Sequence, residues 1–126
     1  MIRRYDSGAA FLAENQAFLD PKPQISAFMA LDAPLLEKTD KINYAARCEK
    51  DGKTLLAMKV EPYHLQLFGD ADCAGELLDF LARGGYEIQN YLSEKTLGDA
   101  AAREMEARFG IRYEEALAMA FMEART

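Results

Sequence analysis

The chain has 126 residues, one domain's worth, and its 50% apolar and 29% charged composition excludes a disordered polypeptide. Lys plus Arg total 15 against 21 Asp plus Glu, a net charge of −6; no basic run is dense enough to offset a phosphate polymer, so nucleic acid is not an expected partner. The longest stretch without a charged side chain, Pro23 to Leu31, is nine residues against the roughly 20 that span a bilayer, so no transmembrane helix and no membrane partner are expected.

Arg3 and Arg4 run into Tyr5, Asp6 and Ser7 rather than an apolar segment, unlike a secretory signal. Ser7 is placed to cap a first helix in which Phe11, Leu12, Phe18 and Leu19 share one face. Asp20-Pro21-Lys22-Pro23 ends it, because proline lacks the donor and restricts the residue before it. A second helix from Gln24 is expected to bury Ile25, Phe28, Met29, Leu31, Leu35 and Leu36, with a kink or break at Pro34.

The period then changes. Tyr44 to Glu49, Asp51-Gly52 and Lys53 to Glu61 read as strand, turn and strand, and after a Pro62-Tyr63 turn His64 to Phe68 is a third strand with Leu65 and Leu67 on one face. Asp70 or Asp72 can cap a helix with Leu77, Leu78, Phe80 and Leu81 on its apolar stripe, closed by Gly84-Gly85. Tyr86 to Leu92 reads as a strand, and Ser93 or Thr96 as the cap of a helix ending at Phe109-Gly110. Glu115 to Ala124 mixes helix-favouring residues with an alternation of Leu117, Met119 and Phe121, and is read as one closing strand. The expected architecture is a single α/β (α+β) domain over residues 1–126, a mainly antiparallel mixed sheet flanked by helices. Leu56, Met58, Val60, Leu65, Leu67, Leu78, Leu81, Ile88 and Phe121 should contribute to its core.

Chemistry-bearing residues are few. His64 is the sole histidine, and a nucleophilic pair with Cys73 is conceivable, but Asp70, Asp72 and Glu76 would disfavour a thiolate there. His64 is therefore read as a strand-edge residue and Cys73 as a small packing residue. A zinc or iron site needs three or four His, Cys or carboxylate ligands at short spacings, and here only Asp70 and Asp72 sit close together, with Cys73 and Glu76 nearby; an N-cap with favourable charge at the helix dipole is the simpler reading. Arg103, Glu104, Glu106 and Arg108 read as a solvated helix face with near-neighbour ion pairs. Cys48 and Cys73 share no CxxC spacing and read as reduced thiols of a cytoplasmic protein. On the residues alone, catalytic, cofactor-binding and metal sites are all assigned to none.

With Ile2 to Tyr5 as a first strand, this order of elements resembles the GNAT acetyltransferase fold. Phe11-Leu12, the stretch from Leu55 through Pro62-Tyr63 to Leu67, and Met119 to Ala124 look like the amino-terminal half of bacterial two-domain GNAT proteins, in which a degenerate half precedes one that carries the acetyl-CoA site. Active GNAT domains place Gln/Arg-x-x-Gly-x-Gly/Ala after the fourth strand, where backbone N–H groups hold the pyrophosphate. Here Val60-Glu61-Pro62-Tyr63 imitates the approach, but His64 to Phe68 follow, and the expected loop position is Phe68-Gly69-Asp70-Ala71-Asp72-Cys73-Ala74-Gly75, with two aspartates that would repel a pyrophosphate. Many GNAT enzymes also use a tyrosine as general acid about four residues before the glycine closing the last helix; that position is Glu106, and Tyr113 lies beyond Gly110. The resemblance thus implies a non-catalytic half of an acetyl-CoA-dependent N-acetyltransferase. Such a half binds no cofactor itself, shapes the acceptor cleft and contacts a catalytic half that holds acetyl-CoA. The competing readings are a stand-alone GNAT-like binding or dimerisation module and an active one-domain enzyme with an unusual loop. A homodimer through Glu115 to Ala124 is expected if that strand lacks its neighbour.

Overall fold

The computed structural model describes residues 1–19, 29, 31–40, 42–61, 64–86, 88, 90–110, 112–117 and 121–125, the last two segments by their backbone. The elements are β1 (Ile2–Arg4), α1 (Gly8–Leu19), a 3-10 turn (Ala33–Leu35), β2 (Tyr44–Lys50), β3 (Lys53–Lys59), β4 (Leu65–Gly69), a second 3-10 turn (Ala71–Cys73), α2 (Ala74–Arg83), β5 (Asn90–Leu92), α3 (Lys95–Phe109), β6 (Arg112–Leu117) and β7 (Phe121–Arg125). They build one mixed sheet in the order β1-β2-β3-β4-β5-β7-β6. Every neighbouring pair is antiparallel except β4 and β5, which run parallel because α2 carries the chain across one face between them.

Local chemistry accounts for most of these boundaries. Ser7 Oγ accepts the Ala10 N–H at 3.2 Å at the start of α1. Asp51 (φ 51) and Gly52 (φ 79) both sit in the left-handed region, which makes the β2–β3 connection a type I′ hairpin whose twist matches the strands it joins. At the end of α2, Gly84 and Tyr86 donate to the carbonyls of Phe80 and Leu81, and Gly110 closes α3 on Glu106.

The sheet is covered on both faces, which explains why β3 and β4 are apolar almost without alternation. Tyr44, Ala46, Cys48, Leu55, Ala57, Leu65 and Leu67 face α2 and α3, where Leu77, Leu78, Leu81, Leu97, Ala101 and Met105 are buried. Ala45, Leu56, Met58, Val60 and Phe68 face the other side with Tyr5, Phe11, Leu19, Met29, Ala33 and Leu36. Burying one large apolar side chain is worth roughly 1.5–3 kcal/mol against about 0–1 for an exposed ion pair, so these two clusters and not the surface charges hold the layers together.

Of the expected core, Leu56, Met58, Val60, Leu65, Leu67, Leu78 and Leu81 are buried and Ile88 packs partly against them, while the Phe121 side chain lies outside the described residues. Within α1, Phe11 and Leu19 are buried and Leu12 and Phe18 partly so. Several expectations are corrected. Leu31 and Leu35 are 72% and 58% exposed while Met29 and Leu36 are buried, because the 3-10 turn with Pro34 in its first turn rotates the chain away from a continued helical face. The helix start at Gln24, Ile25 and Phe28, the Asp20 to Pro23 stop and the Pro62-Tyr63 turn lie outside the described residues. The strand expected over Tyr86 to Leu92 is confined to Asn90–Leu92, with Tyr86 instead packing on Tyr44 at 4.6 Å between ring centroids. Neither Ser93 nor Thr96 caps α3; the N-cap is Glu94, without a side-chain bond, and Ser93 Oγ donates to the Glu94 carbonyl. The single closing strand is two: β6 and β7 form an antiparallel pair, and β7 inserts between β5 and β6.

Candidate functional site

The parallel pair is short. β5 meets β4 at Leu65↔Tyr91 and Gln66↔Leu92 and then leaves through Ser93 and Glu94 into α3, while β4 continues to Gly69 beside β3. The carboxyl ends of the two strands diverge, the place where open mixed sheets hold ligands. A crevice of about 320 Å³ opens there, walled by Phe18 and Phe68 on the α1 side, by Leu67 and Leu97 on the other, and by Lys53, Thr54, Gly69, Asp70 and Glu94 at the mouth.

The backbone of β4 has a definite orientation at this point. The Asp70 N–H donates to the Thr54 carbonyl at 2.8 Å, and with the register Leu55↔Gly69 and Leu56↔Phe68 this turns the peptide groups of Gln66 and Phe68 toward β3. Because the peptide unit is planar and trans, the Leu67 carbonyl, the Gly69 N–H and the Gly69 carbonyl point the opposite way, toward the crevice. Gly69 has φ 137, and a Cβ there would stand 2.3 Å from the Thr54 carbonyl oxygen and 2.9 Å from Leu55 Cα, so only glycine lets β4 end this close to β3.

The loop that follows is self-contained. Asp70 Oδ1 accepts the Asp72 N–H at 3.0 Å and the Asp70 carbonyl accepts the Cys73 N–H at 3.2 Å, so the aspartate caps the 3-10 turn, and α2 itself starts after Cys73 without a side-chain cap. Asp72 pairs with Lys53, whose hydrogen bond and charge hold the Asp72 carboxyl below the usual carboxylate range and raise the lysine in turn. Glu76 pairs with Lys50 at 3.1 Å. A second, shallow groove runs past these pairs to Arg103 and Glu104 on α3.

Each residue singled out in the sequence can now be placed. His64 precedes β4, which is an interior strand, so it stands at a strand end rather than at a sheet edge; its Nδ1 lies 2.8 Å from Asn90 Oδ1. Cys73 is at the far end of β4, about 15 Å away at roughly 3.3 Å per strand residue, and the structure does not bring the two together. Cys73 is buried with Sγ 3.6 Å from the Lys53 carbonyl, and burial together with the neighbouring Cys48 thiol pushes its pKa up to about 11. Both cysteines are free thiols. Asp70, Asp72, Cys73 and Glu76 thus answer to their own turn, to Lys53, to a backbone carbonyl and to Lys50, and do not converge on one point. On α3, Arg108 pairs with Glu104 at 2.9 Å and reaches Asp79 at 3.8 Å. The Tyr113 side chain lies outside the described residues.

None of Phe18, Lys53, Thr54, Phe68 and Glu94 is read from the sequence as a site residue. The available signal was partial: a helix such as α2 is the connection that parallel strands need, but it does not say where β5 stops and so does not fix the crevice. Among the described residues, the fold and site define an α+β domain with one mixed sheet and a crevice at its one parallel pair. No protein-family model, curated protein or solved structure matches the chain, and among the described residues no helix is long and apolar enough to cross a membrane.

Proposed function

We propose that this chain is a GNAT-related domain acting as the non-catalytic half of an acetyl-CoA-dependent N-acetyltransferase, where it shapes the acceptor cleft and contacts the catalytic half. The order of elements supports the reading: a first strand, a helix, a three-strand meander, and then helix, strand and helix follow the succession the resemblance implies, although its second early helix lies mostly outside the described residues and its one closing strand is a pair here. The observation that carries the non-catalytic part is the loop after β4. The residues there do not fit a pyrophosphate, because the Asp70 carboxylate already takes the Asp72 N–H and stands where the anion would lie, while the Lys53 ammonium is engaged by Asp72. Acetyl-CoA, held by the partner half, would supply the acetyl group.

Calorimetric titration of the chain with acetyl-CoA tests this directly. The expected result is no saturable heat. Binding with a dissociation constant in the low micromolar range, about −8 kcal/mol, overturns the reading in favour of an active one-domain enzyme. The alternative, a stand-alone GNAT-like binding module without chemistry, draws on one observation, the crevice of about 320 Å³ at the carboxyl ends of β4 and β5.

A further inference from the structure

We infer that the two outer strands of the sheet are complementary edges, and that β6 of a second copy of this chain adds antiparallel to β1, so that copies associate head to tail. Among the described residues β1 and β6 end the sheet on opposite sides. The Glu49 N–H donates to the Met1 carbonyl at 2.8 Å and the Tyr5 N–H to the Ala45 carbonyl at 2.9 Å. With the register Ile2↔Cys48 and Arg4↔Ala46, this turns the N–H and carbonyl of Arg3 toward β2 and those of Ile2 and Arg4 outward, where a neighbouring strand can meet them. Strand direction agrees. The neighbour steps from β1 to β6 are five antiparallel and one parallel, so β6 runs opposite to β1. A second copy displaced across the strands in the plane of the sheet, and not turned over, therefore brings its β6 antiparallel to β1.

Charge selects this pairing over the others. The two arginines of β1 take opposite faces of the sheet: Arg3 pairs with Glu14 of α1, whereas Arg4 stands 5.8 Å from the Tyr86 ring and donates to Thr39 Oγ1 at 3.2 Å, neither of them a carboxylate. The sequence of β6 holds Glu114 and Glu115 side by side, which strand alternation places on opposite faces. Two β1 edges would set arginine against arginine and two β6 edges glutamate against glutamate, so only the unlike pair opposes opposite charges on both faces. Beside β1 on the α2 face, a groove of about 530 Å³ with Ile2 and Phe80 as apolar walls and Arg83 and Arg108 at its rim gives the side chains of an incoming strand room. Since β1 is three residues long, the contact is small and belongs to the size class of weak, transient association. The inference goes beyond the function proposed above and does not depend on it.

Sedimentation velocity on the chain at concentrations up to about 1 mM, with charge-reversed variants, tests the pairing. Arg4→Glu alters β1, and Glu114→Lys combined with Glu115→Lys alters β6; circular dichroism checks that each variant keeps the parent's fold. The parent is expected to populate a dimer and then longer species, because a head-to-tail dimer still has one free edge of each kind. Each variant alone should associate about threefold or more weakly than the parent. An equimolar mixture of the two should recover, since β1 of the lysine variant and β6 of Arg4→Glu are both unaltered and restore the parental contact. A nuclear magnetic resonance dilution series on the labelled parent reads the same contact without any substitution: the outward Arg4 amide should shift with concentration more than that of Tyr5, which is bonded to Ala45. A parent that stays monomeric at about 1 mM, Arg4→Glu associating as well as the parent, a mixture no stronger than its components, or an Arg4 amide indifferent to concentration overturns the inference. Undiminished association of Arg4→Glu would mean that like edges pair and that β1 takes no part.

Discussion

Cys73 shows how a side chain's surroundings fix its chemistry. An unperturbed thiol, with a pKa near 8.5, is about one quarter thiolate at pH 8, while one at about 11 is thiolate about once in a thousand molecules. Burial dominates that shift, and Cys48 is raised by burial and by Glu76 as well. Both thiols should therefore resist an aromatic disulfide reagent at pH 8 in the native protein and react promptly after unfolding in guanidinium. Rapid native labelling of either would contradict the buried placement. The same shift couples to stability. The folded-state pKa is raised above the unfolded one, so the contribution is fully present below about pH 8.5 and is lost as pH rises through about 11. Urea midpoints measured from pH 8 to 11 should fall for the parent, and fall less for Cys73→Ala, which has no thiol to titrate.

At the scale of elements, the parts of the sequence with a strong local signal are the parts that could be read from it. The Asp51-Gly52 hairpin, α2 and the end of α3 at Gly110 each carry a turn or cap residue that works through its own backbone, so their place needs no knowledge of the rest of the fold. The β6–β7 pair lacks such a signal. Ala118-Met119-Ala120 holds no glycine, proline or asparagine, and the alternation of Leu117, Met119 and Phe121 continues across it, so one strand was the natural reading of what the chain folds as two. The crevice was invisible for a different reason. It depends on where β5 stops relative to β4, a difference of three residues that no periodicity encodes. Leu35 and Leu78 test the corrected packing. Both fit a helical apolar face in the sequence, yet one is 58% exposed beside Pro34 and the other fully buried between sheet and α3. Leu78→Ala should cost about 2–5 kcal/mol by urea unfolding, and Leu35→Ser should stay within about 0.5 kcal/mol of the parent. A large loss at Leu35 would return that residue to the core.

For the whole molecule, the sheet order decides which backbone can meet another chain. Sequence reasoning took Glu115 to Ala124 as one terminal strand with an open edge, but β7 lies between β5 and β6 and is paired on both sides, which leaves β6 and β1 as the outer strands. Any edge-to-edge dimer on that side therefore runs through Arg112–Leu117, a strand whose sequence includes Arg112, Glu114 and Glu115, and charges on an edge weaken such pairing without abolishing it. Two copies each carrying −6 also repel, with a reach of about 10 Å at 0.1 M salt and about 3 Å at 1 M. The expected outcome is a weak homodimer whose fraction grows with both protein concentration and salt. Light scattering over a concentration series at two ionic strengths measures this, and hydrogen exchange reports whether 112–117 gains protection as the dimer fills. A protein that stays monomeric at hundreds of micromolar in high salt, with 112–117 already protected from exchange, has that edge satisfied within the chain, and association through β6 is then ruled out.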